Sequence, residues 1–128
     1  MTQEDKELLL KDLCGRLPYG VKVNVIYSNE NASSFRQRVC VEGDNELNTD
    51  IIGLYQCNEI EIKPYLFPMS SMTDEVKKVF AAYFKCIYLG DSTNFIVQLV
   101  EWLNENHFDC RGLIEKGLAL DATDKDIY

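Results

Sequence analysis

The stretch Asn94–Asn106, NFIVQLVEWLNEN, limits the possible architectures more than any other part of the chain. At about 100° per residue, Trp102, Phe95, Leu99, Leu103, Ile96, Val100 and Val97 sweep more than half of a helix circumference. Asn94, Gln98, Glu101 and Glu105 form a narrow polar strip. A helix on the outside of a small domain needs an apolar stripe of roughly 100°. This one is expected to touch two neighbours at once and to be the central helix of the fold, with the chain's only tryptophan buried on several sides.

A chain of 128 residues predicts one domain, with residues 1–120 forming it and 121–128 a frayed tail. Surface scaling leaves roughly two-thirds of the unfolded surface buried, enough for a core without disulfide or metal staples. A hydrophobic content of 46% with 11% aromatics argues against disorder. The net charge is −8, and each half of the chain has four more acidic than basic groups, so there is no acidic tail or block. Charge of this sign repels a phosphate backbone, which argues against general binding to nucleic acid or anionic membranes.

The five cysteines (14, 40, 57, 86 and 110) are an odd number with no C-x-x-C pair, and they read as reduced, mostly packed thiols. The acidic start at Glu4, Asp5 and Glu7 does not suit a signal peptide. No run approaches the roughly 20 apolar residues of a membrane span. A cytoplasmic setting is the expectation.

Thr2 followed by Asp5 has capping-box spacing, and Leu9, Leu10, Leu13, Cys14 and Leu17 share a face, predicting a first helix over about Gln3–Cys14. Gly15 is expected to close it and Pro18-Tyr19-Gly20 to turn the chain. Val21, Val23 and Val25 alternate with Lys22 and Asn24 in a first strand. After a loop at Ser28–Ser34, Phe35, Val39 and Val41 suggest a second strand, ended by a Gly43-Asp44-Asn45 turn. A third strand is expected around Asp50–Cys57, with Gly53 marking a bulge, and a fourth at Ile60 and Ile62 after a turn at Asn58. Four short strands in sequence predict an antiparallel sheet or a small SH3-like barrel.

The strap Lys63–Met72, KPYLFPMSSM, joins the halves. Thr73 then caps a second helix with Val76, Val79, Phe80, Tyr83, Phe84 and Ile87 on its apolar face, and Gly90 ends it. Asp91 or Ser92 caps the central helix, which Asn106-His107 breaks. Asp109 caps a short Cys110–Lys116 helix that Gly117 stops. The fold class expected is α+β: an N-terminal helix, the four-stranded sheet or barrel, then two to three C-terminal helices packed on it.

The segments EDKELLLKDLCGRLPYGVKV, IKPYLFPMSSMTDE and EWLNENHFDCRGLIEKGLAL resemble a group of small hypothetical proteins encoded by gut Bacteroides species and by their phages and mobile elements. Together they cover somewhat under half of the chain. The resemblance implies a bacterial or phage cytoplasmic setting and carries no catalytic residues.

Three constellations are candidates for function. Tyr65, Leu66, Phe67, Met69 and Met72 place five large apolar groups on the irregular strap. They either cover an edge of the sheet or form a partner-binding patch of the aromatic and methionine type common at interfaces. Lys22, Arg36 and Arg38 would align on the outer face if the first two strands pair, making a small basic patch for a nucleic-acid backbone or a small ligand. The bland alternative is cross-strand pairing with Glu42, Glu59 and Glu61. Cys110 with His107, three residues apart, is the only close pairing of a thiol with a base, and it lacks an orienting third group. Glu59 and Glu61 read as a polar sheet face. No phosphate-cradling or nucleophile-elbow motif occurs, and the cysteines are too scattered for zinc.

The expectation from sequence is therefore a non-enzymatic interaction or regulatory protein with an unknown protein partner, no metal and no cofactor. A binding module using the basic patch is the alternative, and a Cys/His enzyme comes third.

Overall fold

The computed structural model describes residues 2–28, 34–78, 81–82 and 95–128. Its architecture is α+β, with an open four-stranded sheet in the order β2-β1-β3-β4. The strands are β1 (Lys22–Tyr27), β2 (Gly43–Glu46), β3 (Ile60–Leu66) and β4 (Leu120–Asp121). β1 pairs antiparallel with both β2 and β3, whereas β4 runs parallel to β3, so the sheet is mixed and not purely antiparallel.

Helix α1 (Gln3–Arg16) starts where the Thr2 hydroxyl accepts from the Asp5 amide at 3.1 Å. It continues through Gly15 and ends at Arg16, beyond the expected stop. A 3-10 turn at Leu17–Tyr19 and Gly20, at φ 67, then reverse the chain into β1.

Two expected strands are helices. The Phe35–Val41 segment forms α2 (Ser34–Val39) up to residue 39, and the Asp50–Cys57 segment lies almost wholly in α3 (Thr49–Gln56). Phe35 and Val39 are four residues apart, a spacing that fits one turn of helix as well as a pleat, and so short a run does not separate the two periods. In α3 the buried residues Ile51, Ile52, Leu54 and Tyr55 have helical spacing. The Asn48 side chain caps this helix by accepting from the Ile51 amide at 2.9 Å. Gly53 is inside the helix and marks no bulge. Conversely, Gly43-Asp44-Asn45, expected as a turn, belongs to β2. The tight loop before it is closed by the Asn45 side chain, which bonds both the amide and the carbonyl of Val41.

β3 runs through Pro64, a residue normally kept out of inner strands. Pro64 pairs with Val23 at a position where neither residue's amide points to the other. Its missing N–H falls on the β4 side, one residue before the β3–β4 pairing begins at Tyr65. No ladder bond is lost.

One sheet face is apolar. Val23, Val25, Ile60, Ile62 and Leu66 pack with Val21 against Leu9 and Leu13 of α1 and Ile51 and Leu54 of α3, with Leu113 closing the end. Each such side chain contributes about 1.5–3 kcal/mol by leaving water. The other face carries Lys22, Asn24, Ile26, Asp44, Glu46, Glu61 and Lys63, all partly or fully exposed. Among the described residues the core thus sits between the sheet, α1 and α3. The Phe95–Glu105 helix packs beside α1, with Leu103 and Asn104 buried and Trp102 only half-buried.

The Thr73 cap forms, its hydroxyl accepting from the Val76 amide at 3.2 Å. The expected face at Val79, Phe80, Tyr83, Phe84 and Ile87, the stop at Gly90, the caps Asp91 and Ser92, and Cys86 lie outside the described residues. Cys110–Lys116 forms successive turns and no regular helix, and Asp109, expected as its cap, instead accepts from the amides four and five residues on, Leu113 and Ile114. Residues 121–128, expected as a frayed tail, carry Asp121 in β4, a wholly buried Ala122 and a Tyr128 bonded into the sheet. Cys14 and Cys57 are exposed thiols, contrary to the packed environment expected of them.

Candidate functional site

The ends of α1, of the Phe95–Glu105 helix and of β3 converge, and most of the chemically interesting side chains gather there. The helix ends at His107, whose φ of 61 is the left-handed conformation usually left to glycine. The His107 amide donates to Asn104 O at 3.1 Å and the Phe108 amide to Leu103 O at 2.9 Å, the two bonds of a Schellman cap. The apolar contact that accompanies such caps is the Phe108 ring on Trp102, with centroids 6.0 Å apart and planes within 12°. This turn then lies along the strap. Phe67 N donates to His107 O and Asp109 N to Phe67 O, both at 2.8 Å.

Beneath it is a buried ion pair. Arg16, with no exposed surface, donates through Nε to Asp12 Oδ2 at 2.7 Å and through Nη2 to Phe108 O at 2.6 Å. Arg111 approaches the other Asp12 oxygen at 3.3 Å. Arginine is buried only when paired; this one ties the last turn of α1 to a residue 92 positions away.

His107 stacks on Tyr128, with ring centroids 3.8 Å apart and planes at 11°. Burial, with help from the Arg16 charge, pushes its pKa down to about 4, so the ring is neutral at pH 7. Burial pushes the Cys110 thiol up, more than the nearby Arg16 and Arg111 pull it down. The Tyr128 hydroxyl is pushed up to about 12, chiefly by burial. Although 42% of Tyr128 remains exposed, its hydroxyl lies inside, accepting from Lys22 N and donating to Tyr65 O at 2.8 Å each.

The strap residues divide. Leu66 is a core residue, and Tyr65 is buried on the opposite sheet face, its hydroxyl bonded to Asp44 and its ring under Lys125. Phe67 and Met72 are half-buried, and Met69 is 40% exposed. Phe67 joins the ring cluster, 6.2 Å from Phe108 and 5.8 Å from Tyr128. The outcome is a rim of partly exposed Phe67, Trp102 and Tyr128 around the His107 turn, with exposed Met69 two residues along the strap from Phe67. Sequence reading missed Trp102 and Tyr128 as surface groups. The helix break at Asn106-His107 was the available sign that the helix end is on display.

The basic patch does not form as expected. Lys22 pairs with Glu46 at 3.6 Å at the start of β1. Arg36 is buried on α2, its guanidinium 4.2 Å from the Tyr27 ring and donating to Glu59 O. Tyr27 is at the other end of β1, about 16 Å from Lys22 by strand rise. Arg38 is exposed on α2. The patch required Phe35–Val41 to be a strand, and it is lost with that strand.

A cleft of about 450 Å³ opens between the start of α1 and β3, lined in part by Lys6, Tyr55, Asn58 and Glu61. The Lys6 ammonium donates to the side-chain amide oxygen of Asn58 and lies over the Tyr55 ring. None of the strap, basic or Cys/His candidates lines it. Among the described residues no group of three or more His, Cys, Asp or Glu side chains is placed to hold a metal ion. No helix among them is long and apolar enough to cross a membrane. No protein-family model, curated protein or solved structure matches the chain.

Proposed function

We propose that this chain is a non-enzymatic interaction or regulatory protein of bacterial or phage origin acting in a bacterial cytoplasm, and that it docks a protein partner through Phe67, Met69, Trp102 and Tyr128. The observation that carries this reading is the partial exposure of aromatic and methionine side chains beside a fixed backbone bridge, in which both the amide and the carbonyl of Phe67 bond the His107–Asp109 turn. Such groups are enriched where interfaces concentrate their binding energy, and a rigid scaffold reduces the ordering cost of binding.

The neighbouring chemistry supports binding over catalysis. A cysteine nucleophile works as thiolate beside a base able to take a proton near neutrality. Here the thiol is pushed up and the imidazole far down. The separation of Lys22 from Arg36 removes the support for a nucleic-acid patch.

Met69 is exposed and lies in a 3-10 turn with no hydrogen bond from its side chain, whereas Tyr128 is bonded into the sheet, so Met69→Asp leaves the core intact. The wild-type chain should retain a specific protein from bacterial lysate, and Met69→Asp, with unchanged melting temperature, should lose it. A folded Met69→Asp that still captures the same protein removes the rim from the account.

A further inference from the structure

β2 is an edge strand, and its register fixes which of its backbone groups face outward. Leu47 N donates to Val21 O at 3.0 Å, so Leu47, Asn45 and Gly43 direct their amides and carbonyls toward β1. Those of Asp44 and Glu46 point the other way, and among the described residues no other strand pairs with them. Alternate residues therefore present two N–H and two C=O groups in the spacing that an added strand requires.

Three features make this edge selective. The Asn45 side chain, bonded to Val41 N, Val41 O and Gly43 O, fixes the loop that leads into it. The side chains standing beside the free backbone groups are acidic: Asp44 and Glu46 project on the same face, and Glu42 precedes them. Asp44 accepts from the Tyr65 hydroxyl at 2.5 Å and the Asn24 amide at 3.3 Å, which hold its carboxyl below the usual carboxylate range and keep it ionised. Glu46 shares only an exposed, salt-screened contact with Lys22. Val41, 61% exposed, adds an apolar seat at one end.

We propose that the outer edge of β2 takes up an extended segment of a protein partner, with lysine or arginine at alternate positions, as a fifth strand of the sheet. Backbone bonds to Asp44 and Glu46 supply the register, and the alternate basic side chains meet the two carboxylates. A second copy of this chain is the poorer occupant, because pairing β2 with itself sets Asp44 and Glu46 against their own counterparts. This surface is the side of β2 away from β1, whereas Tyr128 reaches only the β3 side of Lys22, and the proposal does not depend on the rim reading.

The test uses the full chain and ten-residue peptides alternating Lys with Val, followed by fluorescence anisotropy at low salt. Binding is expected, weakening about tenfold or more in Glu46→Pro. That substitution removes an outward N–H and a carboxylate while costing no bond to β1, as proline tolerates an edge position. Glu46→Gln, which keeps the N–H, should lose less. N-methylating the alternate peptide nitrogens that face β2 should abolish binding, whereas methylating the other set should leave it unchanged. Equal binding of both methylated series would mean diffuse charge attraction and overturn strand addition. Absence of binding, or equal binding of a Glu-Val peptide, overturns it as well. A wild-type dimer lost in Glu46→Pro would assign the edge to a second copy instead. Met69→Asp should bind the peptide like the wild type.

Discussion

Lys22 and Tyr65 face each other as the next pair after Val23 and Pro64 in the β1–β3 ladder, and the Lys22 amide reaches the Tyr65 carbonyl through the hydroxyl of Tyr128. One phenol oxygen, accepting from one strand and donating to the other at 2.8 Å each, stands in for a direct backbone bond. Tyr128→Phe keeps the ring stacks and deletes this bridge. It is expected to destabilise the fold by about 1–2 kcal/mol, the cost of leaving two partly buried backbone groups short of a partner. Urea titration checks it; an unchanged midpoint would mean that the strands close the gap themselves.

His107 gives the fold an acid sensitivity of definite sign. Its folded pKa of about 4 lies below the ordinary 6.5, so between these values the unfolded chain binds a proton that the folded chain refuses. Stability should therefore be level above pH 6.5 as far as this group is concerned, and fall as pH drops from 6.5 toward 4. The ring is only part-buried, and solvent screening limits the loss to roughly 1 kcal/mol. His107→Asn suits the left-handed backbone and cannot titrate. Its stability should be flat across this window. Asp44 and Asp121, both lowered, act only at more acid pH, below the usual carboxylate value.

Asp12 and Arg16 should be strongly coupled. Asp12→Ala leaves the buried Arg16 guanidinium without its carboxylate and is expected to cost about 3–5 kcal/mol. The double variant Asp12→Leu/Arg16→Met, which buries no charge, should recover most of that loss. Thermal denaturation of the single and double variants gives the coupling directly. Strict additivity of the two changes would show that the pair does not act as a unit.

Gly53 distinguishes helix from strand. Inside α3, with no neighbouring atom within 4 Å of where a Cβ would stand, Gly53→Ala should stabilise by about 0.5–1 kcal/mol. A destabilised Gly53→Ala in chemical denaturation would speak for the bulge that the local sequence suggested.

The long-period features were legible. Thr2 with the leucines of α1, the Val21-Val23-Val25 alternation and the apolar run ending at Leu103 each repeat one period often enough to fix the element. The short runs were not. Phe35–Val41 fits two periods at once, while the Asn48 cap with Asp50 in the following turn was a readable helix start for α3 that the β-branched Ile51 and Ile52 masked. β2 was illegible for a different reason. Gly43, Asp44 and Asn45 are turn formers, and their strand state depends on β1 and on the Asn45 side chain, both outside any local pattern. The same limit hid the rim, since Tyr128 and Phe67 meet only after the parallel β3–β4 pairing brings the last residues back to the strap.

The guanidinium of Arg16 bonds at once to its own helix and to the carbonyl of Phe108. Releasing the Phe108 carbonyl leaves a buried guanidinium N–H without its acceptor, so fraying of the turn near residue 108 is coupled to the last turn of the first helix. Amides at Leu13 and at Phe108 should exchange with deuterium at the same slow rate, as parts of a single melting unit that spans the chain from its first helix to its closing turns.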